Sequence, residues 1–312
     1  MSRPRVVCLV GPTAAGKTAL ALALAEQLGG EIVSADSRLV YRRLDIGTAK
    51  PTRAEQQRVR HHCLDLVEPT ESFDVARYRA AAAAAIADVT ARGRVPLVVG
   101  GTGLWVRALL RGLCPAPPRV PALRAELDAV AARDGSGALH ARLSTLDPVS
   151  AARLHPHDRV RIVRAIEVAI ASGQPLSAWQ TAHRFSEAPF DVFCAGLATE
   201  PGVLADRIAA RVDDMLARGW LGEVAALVAD GLTDDAPAWQ TLGYRELRSV
   251  TRGDLTLAEA TVVIRRATLR FAARQRTWFR REPDMHWYVG DDDPTPLRDA
   301  ITTFLAGPAQ AS

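Results

Sequence analysis

The sequence predicts an α/β fold, a parallel sheet flanked by helices, with an all-helical insertion in its second third. Three observations predict it. Short apolar runs at RVVCLV (5–10), EIVSA (31–35) and VPLVV (95–99) alternate with helix-patterned stretches. Strands that alternate with helices pair in parallel through right-handed crossovers. Residues 119–187 then carry helical patterning throughout, and FDVFCAGLA (190–198) returns to strand character.

In chain order, RVVCLV is a short buried strand and Gly11 to Thr18 is a loop. TALALALAEQL (18–28) is an alanine- and leucine-rich helix that stops at Gly29-Gly30. EIVSA is the second strand and runs into Asp36-Ser37, after which a polar, arginine-rich stretch spans 42–72. A helix is expected from about Val75 to Ala91, ended by Gly93. VPLVV is the third buried strand, closed by Gly100-Gly101-Thr102-Gly103. Composition shifts at Cys114-Pro115-Ala116-Pro117-Pro118, a stiff linker. Beyond it Asp147-Pro148 opens one short helix, and Asp158 caps another that runs to Gly173. From Pro201 onward helices dominate, and the tail after about 290 is loosely patterned. The expected organisation is a discontinuous core, 1–114 and 190–312, around a helical insertion, 115–189.

Composition narrows the class. The chain has 312 residues, 48% hydrophobic and 24% charged, enough to bury a sizeable core. No apolar run reaches the length of a membrane-spanning helix. Arg3 and Arg5 before VVCLV imitate a secretory signal, but Gly11, Pro12, Gly16 and Lys17 break the apolar run at once. Cys8, Cys63, Cys114 and Cys194 lie far apart with no CxxC pair, which argues against a structural zinc site or a disulfide framework and fits a reducing cytoplasm.

The net charge of +4 is local. Residues 261–281 hold Arg265, Arg266, Arg270, Arg274, Arg276, Arg280 and Arg281 and no acid, and without those seven the chain stands at −3. Such a concentration points to a polyanion site. Arg266, Arg270 and Arg274 form an i, i+4, i+8 stripe, with Phe271, Trp278 and Phe279 interleaved. Phosphate contacts and base stacking use these residue types. Phe271 and Trp278, seven apart, are expected to pack inward. Lysine is almost absent from the chain, and only Lys17 and Lys50 occur.

Gly11-Pro12-Thr13-Ala14-Ala15-Gly16-Lys17-Thr18 matches G-x-x-x-x-G-K-[ST] between a strand and a helix. The glycines let backbone N–H groups turn toward an anion, and the helix presents its positive end. Lys17 adds a charge and the Thr18 hydroxyl can hold Mg²⁺. The core is therefore expected to be P-loop NTPase-like and to bind a diphosphate. A nucleotide hydrolase also needs an apolar strand ending in a Mg²⁺-binding Asp, but VPLVV ends in Gly100. Asp36 is the alternative, with two possible jobs, metal ligand or base. Ligands bind beyond the carboxyl ends of parallel strands, so the P-loop, Asp36-Ser37 and Gly100-Gly101-Thr102 should meet on one edge.

The motifs that follow the P-loop in order are Asp36-Ser37-Arg38-Leu39-Val40-Tyr41, Asp45-Ile46-Gly47-Thr48-Ala49-Lys50, His61-His62-Cys63-Leu64-Asp65 and Val99-Gly100-Gly101-Thr102-Gly103-Leu104. Asp147-Pro148, Leu154-His155-Pro156-His157-Asp158, Arg164-Ala165-Ile166-Glu167, Gly243-Tyr244-Arg245-Glu246 and Arg274-Gln275-Arg276-Thr277-Trp278-Phe279-Arg280 continue the series. From about residue 5 to 288 the chain resembles the bacterial tRNA dimethylallyltransferase family. Trp105 stands where a tyrosine is usual, His157 where an asparagine is usual, and Arg38-Leu39 replaces a more typical pair.

The resemblance implies transfer of a dimethylallyl group from dimethylallyl diphosphate to N6 of the adenine 3′ to the anticodon. It implies Mg²⁺ as cofactor and the anticodon stem-loop of tRNA as partner, for a cytoplasmic monomer. It assigns Asp36 as general base, puts Thr102 in the channel where the adenine enters, and makes Arg211 a diphosphate contact. Arg207 and Arg211 lie four apart on a helix whose apolar Leu204, Ile208, Val212 and Leu216 face the other way. It implies tRNA contacts at Asp36, Ser37, Arg38, Leu39 and Thr102, and from Arg124, Arg161 and Arg164 in an insertion that closes on the stem-loop. The segment from Gln240 through Gly243, Tyr244 and Arg245 is implicated too, as are Arg266, Arg270 and Arg274. His61-His62 and His155-x-His157 lack a third ligand at a telling spacing and read as polar surface or turn residues.

Overall fold

Strands β1 (Arg5–Val10), β2 (Gly30–Ala35), β3 (His61–His62), β4 (Val95–Gly100), β5 (Asp191–Ala198) and β6 (Met285–Val289) form one sheet in the order β3-β2-β4-β1-β5-β6. Every pairing in it is parallel. The computed structural model describes residues 3–289 and 293–307. The chain divides into two compact units, Met1–Leu110 with Ala188–Ser312, and Arg111–Glu187.

In the first unit, residue alternation along the strands feeds two apolar layers. Val6, Cys8 and Val10 of β1, with Val33, Ala35 and Val98, pack on one face of the sheet against Tyr78, Ile86, Trp105 and Leu109. Val7 and Leu9, with Ile32, Leu97, Ala195 and Leu197, pack on the other face against Leu22, Leu24, Leu297 and Ile301. Strands buried on both faces are the mark of a parallel sheet covered by helices on each side. The order places β1 at the centre with β4 and β5 beside it, and the phosphate-binding loop leaves its carboxyl end, the P-loop NTPase-like arrangement. Trp105 lies within this core, 5% exposed, its ring stacked on Tyr78 at 4.2 Å.

Two strands and two helices escape the sequence reading. The polar stretch 42–72 holds the helix Arg53–Arg58, opened by a Thr52–Glu55 capping box, and then the two-residue β3 on the outer edge. The tail forms edge strand β6 beside β5 and the helix Thr295–Ala306, whose Leu297 and Ile301 enter the core. Residues 290–292 and 308–312 of that tail lie outside the described residues.

The second unit is helical, comprising Pro121–Asp134, Ser136–Leu146, Pro148–Arg153, Arg159–Ser172 and Leu176–His183. Its core is Leu127, Leu139, Leu143, Ile162, Val163 and Ile166. Two buried carboxylates organise it. Asp147 accepts the amide and hydroxyl of Ser150 at 2.9 and 2.6 Å, and those of Ser177 at 2.9 and 2.6 Å. Glu167 accepts the Val120 amide at 2.7 Å, Arg124 at 2.9 and 3.1 Å, and Arg164 at 2.8 Å. A buried carboxylate is tolerated only when satisfied in this way.

Candidate active site

The loops that carry the candidate residues start level with one another. Val10 at the end of β1 and Ala35 at the end of β2 both pair with Gly100 at the end of β4. The chain therefore leaves the sheet for the P-loop, for Asp36-Ser37 and for Gly101-Thr102 at one height on one edge, where open parallel sheets bind ligands.

In the P-loop, Gly16 enters the helix Lys17–Leu28 with a φ of 85°, a conformation that costs glycine little. The first turn of that helix offers backbone N–H groups to an anion. Lys17 Nζ donates to the carbonyls of Gly11 at 2.9 Å and Pro12 at 2.6 Å, so the ammonium folds over the loop. Burial lowers the Lys17 pKa to about 7, helped by the Arg211 guanidinium and opposed by the Asp36 carboxylate. Arg211, on the helix Pro201–Ala217, is itself lowered by burial and supported by Asp36 and then Asp214. Arg38 behaves likewise, lowered by burial and supported by Tyr41 and Asp36. Asp36 thus stands within charge range of Lys17, Arg38 and Arg211.

Asp36 Oδ1 accepts the Arg38 amide at 2.8 Å, which fixes the turn after β2. Ser37 donates its amide to Thr102 Oγ1 at 3.0 Å, and the Thr102 amide reaches the Ala35 carbonyl at 3.1 Å. The loops after β2 and β4 are thereby knitted together, with Asp36 and Thr102 on adjacent strands of one edge.

Sequence reasoning named Gln275 within a motif but gave it no role. It is 6% exposed on the helix Leu257–Phe279, accepts the Thr13 amide at 2.8 Å and donates to the Gly101 carbonyl at 3.0 Å. Its signal was an amide side chain set directly between Arg274 and Arg276.

The polyanion-binding candidates fall into two groups. Arg266, Arg270 and Arg274 are exposed along one helix, with Arg274 over the Phe271 ring at 5.8 Å. Gln240 and Arg245 are exposed, Leu39 is half-buried, and Arg161 is exposed beside Asp158 at 3.3 Å. Other candidates are committed elsewhere. The guanidinium groups of Arg124 and Arg164 are held on Glu167. Tyr244 is fully buried, contrary to its expected place on an RNA-contacting surface, because its hydroxyl donates to Glu223 at 2.5 Å. Burial and the Glu223 charge push that phenol far above its usual range. Glu223 also accepts the amides of Asp45, Ile46 and Gly47, so Tyr244 braces that loop from beneath. Phe279 is buried too, in the core. Phe271 and Trp278 are half-buried, Trp278 lying under the Arg107 guanidinium at 4.5 Å.

Among the described residues no cluster of three His, Cys, Asp or Glu side chains could hold a metal, and no helix is long and apolar enough to cross a membrane. His62 pairs with Glu31, while His155 and His157 are exposed. Among the described residues, the exposed Thr18 hydroxyl of the P-loop is a donor that a Mg²⁺ ion at a diphosphate could use. A hard cation that keeps most of its ligands as phosphate and water fits that sparse donor set.

A sequence profile described as IPP transferase matches residues 39–282. The chain is 52% identical over 293 residues to the tRNA dimethylallyltransferase of Anaeromyxobacter dehalogenans (strain 2CP-C), covering 94% of this chain and 97% of that protein. It is 46% identical over 286 residues to that of Geobacter sulfurreducens, covering 92% of each. The full-length tRNA isopentenylpyrophosphate transferase from Bacillus halodurans superposes with a TM-score of 0.72 at 38% identity, over 98% of this chain and 96% of that one. A eukaryotic dimethylallyltransferase acting on tRNA shares the fold with a TM-score of 0.84 at 24% identity, over 99% of this chain and 81% of that one. The order of loops on the sheet edge, the matched profile and relatives alike over nearly their whole length agree, and this chain belongs to the tRNA dimethylallyltransferase (IPP transferase) family.

Proposed function

We propose that this chain transfers the dimethylallyl group of dimethylallyl diphosphate to N6 of the adenine on the 3′ side of the anticodon, position 37, in tRNAs that read codons beginning with U. The products are N6-isopentenyladenosine and diphosphate. The observation that carries the reading is the Asp36 carboxylate set among Lys17, Arg38 and Arg211 beside a P-loop. Family membership supplies the donor and the acceptor.

In this reading the P-loop amides, Lys17 and Arg211 take the diphosphate and offset the charge that grows on it as the C1–O bond breaks. Thr18 would help hold a Mg²⁺ ion, which would supply Lewis-acid neutralisation of the leaving group. The adenine N6 forms the new bond to C1, and its proton passes to the Asp36 carboxylate. N6 becomes acidic only as the C–N bond forms, so a modest base suffices. Thr102, held by Ser37, lines the path of the incoming adenine.

The exposed arginines Arg266, Arg270 and Arg274, with Gln240, Arg245 and Arg161, are proposed to meet the anticodon stem-loop, offsetting the few kcal/mol of unstacking one base, about the cost of flipping. The helical unit 111–187 is proposed to bind that stem-loop as well. The proposed active form is a monomer working in the cytoplasm, where its four free cysteines would be stable.

The test incubates the protein with Mg²⁺, labelled dimethylallyl diphosphate and an unmodified tRNA carrying adenines 3′ to the anticodon, with AMP in a parallel tube. Label in the tRNA alone is the expected result. Label in AMP alone would move the chain to the nucleotide-prenylating class, and label in neither would overturn the reading.

A further inference from the structure

We propose that Gln275 is a positioning residue that sets the donor loop in register with the acceptor loop, and that it thereby keeps the allylic group from being lost to water. The proposal rests on the prenyl-transfer reading above.

Gln275 is a buried amide inside the most basic stretch of the chain, flanked by exposed Arg274 and half-buried Arg276. A buried amide is costly unless its hydrogen-bonding groups find partners. Both ends of this one are used, and on different loops. Oε1 takes the Thr13 amide of the P-loop at 2.8 Å, and Nε2 gives to the Gly101 carbonyl at 3.0 Å. The partners lie 262 and 174 residues away in sequence, so the bridge exists only in the folded chain. The approach is tight. A Cβ added at Gly101 would stand 2.1 Å from Gln275 Nε2, so a side chain there would push the amide off its place.

The bridge continues on both sides. Gly101 precedes Thr102, which holds Ser37 at 3.0 Å, which follows Asp36. One turn before Gln275, Ala272 packs with Leu204, Ile208 and Ala14, joining the P-loop to the helix that carries Arg211. Gln275 therefore hydrogen-bonds both the loop that would hold the diphosphate and the loop that would hold the adenine. The Thr13 amide, spent on Gln275, is withdrawn from the phosphate cradle. Its role is to fix where the cradle sits.

Displacement at C1 demands that N6, C1 and the leaving oxygen lie nearly in line. If the two loops drift, the cations still draw off the diphosphate, but the carbon meets water instead of N6. The C1–O bond breaks, a water oxygen bonds to the allylic carbon, its proton passes to solvent, and dimethylallyl alcohol and diphosphate result. Loss of registration thus has its own signature, diphosphate released in excess of prenyl transferred.

The experiment measures both products for the wild type, Gln275→Ala and Gln275→Glu, with donor sites per chain counted by titration against inorganic diphosphate. The glutamate variant is nearly isosteric and keeps an acceptor for Thr13, but sets a carboxylate against the Gly101 carbonyl. Both variants are expected to lose roughly 10–100-fold in kcat per titrated site, the scale of an ångström of misplacement, while KM for the donor moves little. Diphosphate release should exceed prenyl transfer in both and match it in the wild type. If Gln275→Ala does not fold, Gln275→Glu carries the test. Fewer donor sites per chain with an unchanged kcat per site and one-to-one products would mean a purely structural role and overturn the proposal. A wild-type control that transfers no prenyl group would overturn the underlying function, and this proposal with it.

Discussion

Ser37 donates its backbone N–H to Thr102 Oγ1 at 3.0 Å, so the residue beside the candidate base is held by a side chain from the neighbouring strand's loop. Thr102→Val keeps the shape and removes the acceptor, leaving a half-buried amide unpaired. That costs about 1–3 kcal/mol, and if expressed in the transition state it lowers kcat/KM by roughly 5–150-fold. Thr102→Ser keeps the hydroxyl and should recover most of the loss. Single-turnover transfer to tRNA reads both. A valine variant as fast as wild type would show that the bond positions nothing.

Asp36→Asn preserves the oxygen that accepts the Arg38 amide at 2.8 Å and removes only the charge and the basicity. Turnover should fall about 10²–10⁴-fold, the usual share of a general base, with tRNA affinity nearly intact. Near-normal turnover would take Asp36 out of the base role.

Lys17 gives a pH dependence with a definite sign. Its pKa of about 7 in the free protein is lowered chiefly by burial and by Arg211. A bound diphosphate raises it, because an anion beside an ammonium favours the charged form. Above pH 7 the complex therefore holds more protons than the free protein. Donor affinity should fall as pH rises through that window, by up to tenfold per unit, with proton uptake on binding. Calorimetry in buffers of different ionisation heat measures the uptake. Lys17→Arg, charged throughout, should bind without it.

Much of this site was legible in the sequence because its signals are local. The P-loop is eight consecutive residues, and RVVCLV, EIVSA and VPLVV are uninterrupted apolar runs that become β1, β2 and β4. What escaped depends on distant partners. His61–His62 is a strand only because Ile32 and Val33 lie beside it, and β6 is an edge strand whose exposed His286, Trp287 and Val289 show no clean alternation. Tyr244 sits between a glycine and an arginine and reads as surface, yet Glu223 draws it into the core. Gln275 is buried by two loops far from it in sequence, which no window of neighbouring residues encodes.

The helical unit offers a test that separates scaffold from RNA contact. Glu167 is wholly buried, and although burial raises its pKa, bonds from Arg124, Arg164 and the Val120 amide more than offset this and leave it below the usual range. A depressed carboxylate stabilises the fold above its unfolded pKa, and that contribution is lost as pH falls through the folded value. Glu167→Gln should destabilise the protein by about 3–5 kcal/mol at neutral pH, as expected for breaking a buried pair, and flatten the acid limb of its stability curve. Arg124→Ala should lower Tm while leaving the salt dependence of tRNA binding unchanged. A change in that salt dependence with no loss of stability would return Arg124 to the RNA surface.

The arginine stripe makes the opposite prediction. Arg266, Arg270 and Arg274 are exposed and unpaired with any acid among the described residues, whereas Arg265 on the same helix is already paired with Asp213. Only an unneutralised guanidinium gains by displacing counterions from a phosphate backbone. Replacing all three by glutamine should make the plot of log affinity against log salt shallower by roughly 2–3, at about 0.7–0.9 for each phosphate left without its arginine. Arg265→Gln should leave the slope where it was. The kcat at saturating tRNA should survive in both, because none of these residues is placed among the reacting groups. Filter binding across a salt series reads the slopes, and a triple variant with the wild-type slope would remove the stripe from the tRNA interface.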